Sequence, residues 1–157
     1  MHDNDQAMRD FAATLAVPGF EDTAFTTPPA LREARVAIVT SAALSSSGGI
    51  SQWQAEKWDF ADFHFETLPH DVRDLELGHV SPNFDRAGFA ADLNVVYPVD
   101  RLQELADQGM IGSVAASHYS FAGNQPEGLS ALRLDTGPAC AKKMLEDGVD
   151  VVLLTPV

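Results

Sequence analysis

The sequence predicts an α/β fold: a mostly parallel sheet flanked by helices, an open three-layer sandwich left incomplete beside its last strand. Three observations predict it. The β-branched run at residues 34–41 and the apolar run at 151–154 have the length and composition of strands buried in a parallel sheet. Amphipathic stretches beginning at Asp100 and near Thr136 stop at Gly109 and Gly148, as helices do. Strand, helix, strand, helix, strand in that order is the signature of parallel crossover units.

The chain has 157 residues, enough for one ordinary domain with a real core. Hydrophobic residues make up 45% and charged residues 21%, which excludes wholesale disorder. Ten basic against 23 acidic residues give a formal charge of −13, so phosphate backbones and anionic lipid surfaces are poor partners. The start, Met1-His2-Asp3-Asn4-Asp5, has neither a basic nor an apolar leader segment, and the expected location is the cytoplasm. Cys140 is the only cysteine, which excludes an internal disulfide and a cysteine-cluster metal site.

In chain order, Met8, Phe11, Ala12 and Leu15 lie at helical spacing, so residues 5–16 read as a short helix with one docking stripe. Pro18-Gly19 ends it, and the threonine- and proline-rich stretch that follows reads as a surface connector. Residues 1–30 are therefore assigned as helix and connector, and 31–157 as the α/β domain. The strand at 34–41 runs into Ser45-Ser46-Ser47-Gly48-Gly49. Such a loop can offer N–H groups and hydroxyls to a small anion, or it is an ordinary βα turn. It matches neither GxGxxG nor GK[ST].

Trp53 and Trp58 lie in a polar, helix-like segment and read as anchors to the core. Residues 63–68 form a strand ended by Pro69, Leu75, Leu77 and Val80 a second short one, and 81–86 a polar turn. Residues 93–98 read as extended. Asp100 is placed as an N-cap with Gln103 completing a capping box, and Leu102, Leu105 and Ala106 form the buried stripe. Residues 110–115 lead to His118-Tyr119-Ser120-Phe121 and a loop at 123–126. Thr136 caps the last helix, Pro138 sits in its first turn, and Ala141, Met144 and Leu145 face inward.

Five histidines occur without an HxxxH or HxH pair, and no metal site is assigned. His79 and His118 stand where strand ends present side chains to a cleft, as catalytic or substrate-contact groups or as hydrogen-bonded rim residues. Tyr119 accompanies His118. Arg101 has the fork to hold a substrate carboxylate, or it is a solvated helix arginine. Cys140 falls on helix-interior spacing and reads as a small buried hydrophobe.

Residues 78–123 carry a family pattern. Gly78-His79, Asp85-Arg86, the block Asp92-Leu93-Asn94-Val95-Val96-Tyr97-Pro98-Val99-Asp100-Arg101-Leu102-Gln103-Glu104-Leu105, then 109–115 and His118-Tyr119-Ser120-Phe121, resemble the selenoprotein B subunit of the glycine/sarcosine/betaine reductase and D-proline reductase family. The strand at 36–41 and the helix-to-strand ending at Thr155 resemble the same family, so the resemblance covers residues 31–157.

The resemblance implies a selenocysteine-dependent reductase that cleaves a C–N bond of an amino acid or related amine, with electrons from thiols and with partner subunits in a complex. It implies that the strand ending at Thr155 leads into the selenocysteine motif, encoded by UGA and read here as a stop, so the reactive residue follows Val157. No cofactor is then expected in the 157 residues themselves. His79, His118, Tyr119, Arg101 and Thr155 are the residues the pattern places at that cleft, with Ser45, Ser46, Ser47 and Gly48 as the candidate anion-holding loop. The competing reading is a complete non-catalytic α/β module that binds a small anion or docks a partner protein.

Overall fold

A computed structural model of the chain describes residues 3–14, 19, 25–47, 63–79, 86–123 and 130–157. Gly48, Gly49, the Trp53 and Trp58 segment, Leu15, Pro18, Val80, the turn at 81–85 and the loop tip at 124–126 lie outside the described residues. The elements are α1 (Asp3–Thr14), β1 (Arg35–Thr40), β2 (Leu44–Ser46), β3 (Phe65–Pro69), β4 (Leu75–Leu77), α2 (Arg86–Ala91), α3 (Val99–Asp107), β5 (Ser113–Val114), β6 (Ser117–Phe121), α4 (Gly137–Glu146) and β7 (Val151–Thr155). The fold is the α/β sandwich that the sequence predicts.

β1 is the axis of the main sheet. Its β-branched residues pair in parallel with all five residues of β7 on one side, and with β5 and β6 on the other. β3 adds an antiparallel edge beyond β6. From β1 the chain passes α3 to reach β5 and β6, then crosses back over β1 through α4 to reach β7. Right-handed crossovers in opposite directions place their helices on opposite faces, and the side chains agree. Val36 and Ile38 share one apolar cluster with Val96, Tyr97, Val99 and Leu102 on the α3 face. On the other face, Tyr119 packs its ring edge against Phe65, and its hydroxyl approaches Asp147 at the end of α4 (3.4 Å). Fully burying a side chain such as Ile38, Leu44 or Leu68 contributes about 1.5–3 kcal/mol each, so the α3 face is the main core.

β5 and β6 are one strand interrupted by a bulge. Three steps along β1, from Val36 to Val39, are matched by five along the partner, from Val114 to Tyr119. The ladder is interrupted beside Ile38, and a side chain repairs it: His118 Nδ1 accepts from the Ile38 N–H at 3.0 Å. The neutral ring must then carry its proton on Nε2. Burial first, and to a smaller extent the Arg73 charge, pushes the imidazole down to about 4.

Several local expectations are corrected. Ser45 and Ser46 are not in a loop; they belong to β2, which pairs antiparallel with β4 through Leu44↔Leu77 and Ser46↔Leu75. Residues 93–95 form a 3-10 turn, with the Asp92 carboxylate accepting from the Asn94 N–H (2.9 Å). Asp100 is not a cap. α3 starts at Val99 behind Pro98, and the Asp100 carboxylate instead takes the Arg73 guanidinium (2.7 Å) and the Asn94 amide (2.9 Å), which together hold its pKa below the usual range.

Thr136 is not a cap either, because the helix begins upstream in a π turn at Leu132–Thr136. Pro138 has no N–H for the ordinary ladder, and the Gly137 N–H reaches back to the Leu132 carbonyl. Leu145 is exposed rather than inward, and Cys140 is the buried residue of α4. In α1, Phe11 of the expected docking stripe is exposed. The two glycine stops behave as read: Gly109 and Gly148 both adopt positive φ after α3 and α4.

Two outcomes follow from this architecture. A Cβ on Gly137 would lie 2.5 Å from the Leu132 carbonyl oxygen, so Gly137→Ala should lower stability by about 1–3 kcal/mol in denaturant melts, while Gly19→Ala, with nothing among the described residues within 4 Å of the added Cβ, should be close to neutral. The free imidazole near 6.5 takes its proton before the folded one at about 4. Stability should therefore be full above pH 6.5 and fall by on the order of 3 kcal/mol toward pH 4, with His79 adding in the same direction. A wild-type slope no steeper than that of His118→Gln over this range would refute the assignment.

Candidate functional site

The carboxyl ends of β1 and β7 lie side by side, and a set of short polar contacts gathers there. Thr40 is fully buried, and its hydroxyl accepts from the Ala42 N–H (3.3 Å) and reaches the Thr155 carbonyl (3.4 Å). The Ser41 N–H donates to the same carbonyl (3.3 Å). The Ser41 hydroxyl then brackets the next turn of chain, accepting from the Val157 N–H at 2.9 Å and lying 3.3 Å from its carbonyl oxygen. Thr155 donates its own hydroxyl to the Val96 carbonyl (3.0 Å), tying the strand end to the loop before α3.

His79 completes this cluster from the other sheet. Its ring is buried and hydrogen-bonds the Val157 backbone, and its carbonyl accepts from Arg86 Nη2 at 2.6 Å. Burial first, and the Arg86 charge to a smaller extent, lower its pKa against the opposing effect of the Val157 contact, so the imidazole is neutral at pH 7.

The turn that places His79 is strained. Ala43 sits at φ 52, a left-handed conformation that alanine rarely adopts. It is held there by β6: the Ala43 N–H donates to the Phe121 carbonyl (2.9 Å) and the Leu44 N–H to the Ser120 hydroxyl (2.7 Å). The Ala43 carbonyl in turn accepts from the Gly78 N–H (2.8 Å), immediately before His79.

The structure brings together His79 and Thr155 of the sequence-derived candidates and separates the others. His118 and Tyr119 alternate on β6, so His118 lies on the α3 face as the ladder repair and Tyr119 on the α4 face, where burial and the nearby Asp147 push its phenol up to about 12. His118 meets Tyr97 edge to face (5.4 Å between ring centroids), and among the described residues neither His118 Nε2 nor the Tyr97 hydroxyl has a hydrogen-bond partner. Arg101 is exposed on α3 and pairs with Glu104 at 2.7 Å.

Ser45 is buried on β2 with its hydroxyl unpartnered among the described residues, Ser46 is half-buried beside it, and the Ser47 N–H donates to the Asp74 carbonyl (3.0 Å). Gly48 lies outside the described residues. Cys140 is buried, and burial pushes its thiol up to about 12, which leaves it protonated and unreactive at neutral pH.

Sequence reasoning missed Ser41, Ser120 and Gly123. Ser41 ends the β-branched run, which is where strand-end chemistry is carried. Gly123 had no signal beyond its loop, yet a Cβ there would lie 2.8 Å from the Ser41 carbonyl oxygen and 2.9 Å from that of Val157. The arrangement fixes the backbone of residues 155–157 at the carboxyl ends of the parallel strands, beside a neutral imidazole. Ser41→Ala should speed amide exchange at Val157 about 5-fold, the loss of one hydrogen bond near 1 kcal/mol. Gly123→Ala should perturb the same amides by displacing both carbonyls, and unchanged exchange in both variants would dissolve the cluster as a unit.

A sequence profile described as glycine/sarcosine/betaine reductase selenoprotein B matches residues 5–157, which extends further toward the start than the resemblance over 31–157. The chain is 31% identical over 128 residues to the D-proline reductase subunit gamma of Acetoanaerobium sticklandii, covering 80% of this chain and 49% of that one. It is 28% identical over 129 residues to the sarcosine reductase complex component B subunit beta of Peptoclostridium acidaminophilum, covering 80% and 28%. It is also 28% identical over 155 residues to the glycine reductase complex component B subunit gamma of Carboxydothermus hydrogenoformans, covering 93% and 33%. The chain thus spans half or less of the length of these curated relatives. No solved structure matches it. With almost the whole chain covered by the profile and its strand-end block inside the match, the chain belongs to the glycine/sarcosine/betaine reductase selenoprotein B family.

Proposed function

We propose that this chain is the N-terminal part of a selenocysteine-dependent reductase subunit that works with other subunits in a cytoplasmic complex. The full-length subunit reductively cleaves a C–N bond of glycine, sarcosine, betaine, proline or a related amine. The reaction takes two electrons and two protons: the C–N bond breaks, a C–H forms on its carbon and an N–H on its nitrogen, which leaves as free amine or, for proline, stays in the opened chain, and two thiols become a disulfide. The observation that carries this reading is the family match over residues 5–157, joined to relatives named as components of reductase complexes.

Two features of the chain support it. Its single thiol, Cys140, is buried and held protonated, so a reducing group must come from elsewhere. The clamp of Ser41 and His79 holds residues 155–157 where open α/β sheets carry their chemistry. Among the described residues no helix is long and apolar enough to cross a membrane.

The test starts with the nucleotides after the Val157 codon. A UGA followed by open frame with a nearby cysteine codon is the expected result, and UAA, UAG or a frame dense in stops would sink the proposal. The full-length protein, produced with selenocysteine insertion and combined with its partner subunits, should release amine from one of these substrates with a dithiol as donor. The same protein with serine at that codon should lose activity by at least about 100-fold, the scale expected when a reactive nucleophile is removed. Turnover by the 157-residue chain alone would contradict the reading.

A further inference from the structure

β7 has the composition of an interior strand and the position of an edge. Val151–Leu154 carry no charge, and among the described residues β7 pairs with β1 alone. Its register with β1 places Val152 and Leu154 on the α4 face, beside Ala37 and Val39, and Leu153 on the α3 face beside Ile38. Val152 and Leu153 are each 38% exposed, and Leu154 is 67% exposed. α4 adds Leu145, which is 75% exposed. Folded proteins blunt such edges with charge, proline or a covering element, and none interrupts these four residues.

We infer that the outer edge of β7 docks one further parallel strand with its crossover helix, both supplied by the polypeptide that the family members carry beyond the matched stretch. This rests on the reading that the full-length subunit is longer. The matched stretch makes up only 49%, 28% and 33% of the three relatives, so ample chain exists to supply the unit. Chirality selects where it goes. The step through α4 carries the chain from β6 over β1 to β7, and a further right-handed step in the same direction puts its helix on the α4 face. That is the face on which Leu154, the most exposed residue of the strand, stands. An apolar strand and helix match this surface because β7 presents no charge to pair with.

The test compares amide exchange at residues 152–154 in the 157-residue chain and in the full-length protein carrying serine at the recoded codon, which removes selenium chemistry from the readout. Exchange at Val152 and Leu154, whose N–H groups point away from β1, should slow by at least about 100-fold in the full-length protein, the difference between an open edge and a paired strand, while Leu153, which faces β1, serves as the control. Leu154→Lys provides an independent arm. It should raise the solubility of the short chain and lower the melting temperature of the long one. Unchanged exchange in the full-length protein, or protection of β7 in both forms through dimerisation, would overturn the inference. Fast exchange in an otherwise active selenocysteine enzyme removes only the docking edge. Protection in a protein that reduces no amine removes only the reductase reading.

Discussion

The hydrogen bond from the Ile38 N–H to His118 Nδ1 is the contact on which the sheet depends. β1 lies at the centre of the sheet, paired along both edges, and on one of those edges its partner is broken into β5 and β6. Without an acceptor at the break, a buried N–H at the centre of the sheet would be unsatisfied, a penalty of about 1–3 kcal/mol. A neutral imidazole fills the gap, and its burial keeps it neutral. The residue that the sequence offers as a cleft histidine is thus placed as a structural acceptor, because the two extra residues of the bulge bring it beside Ile38, at the break in the ladder, instead of opposite Thr40.

Repairing the ladder there has a consequence at the strand ends. Once past the bulge, β6 is in register with Val39 and Thr40 and can extend to Ser120, Phe121 and Gly123. The Ser120 hydroxyl and the Phe121 carbonyl then hold the left-handed turn at Ala43, and that turn presents Gly78 and His79 to the end of β7. The strain at Ala43, the missing side chain at Gly123 and the bracket of Ser41 around Val157 form one connected arrangement. It positions a segment of backbone at the carboxyl ends of the parallel strands.

Local pattern made much of the fold legible. β1 and β7 were readable because β-branched and apolar runs bounded by turn residues have few alternatives, and α3 because its apolar stripe ends at a glycine with positive φ. The family was readable from the block at residues 92–105 together with His118-Tyr119-Ser120-Phe121. The serine run misled: its composition suits a loop, but the antiparallel pairing of Leu44–Ser46 with Leu75–Leu77 joins segments about thirty residues apart and leaves no local trace. The helix caps at Asp100 and Thr136 failed for a related reason. Arg73, 27 residues away, and Asn94, folded back by the turn just before the helix, claimed the first carboxylate, and a π turn ahead of Pro138 moved the start of the second helix upstream.

Composition and local pattern were enough to establish the class of fold, the central and last strands, the helix stops, the exclusion of a disulfide within the 157 residues and the family to which the chain belongs. These depend on composition and short-range periodicity, which act within a few residues. The roles of the site residues came from packing between distant segments. His118 and Tyr119 are adjacent in sequence yet face opposite layers, while Ser41, His79 and Val157, spread over more than a hundred residues, meet at one point. The physical reason is that a side chain's partner is set by strand register and crossover direction, both fixed by contacts between distant segments, and a single bulge is enough to reassign it.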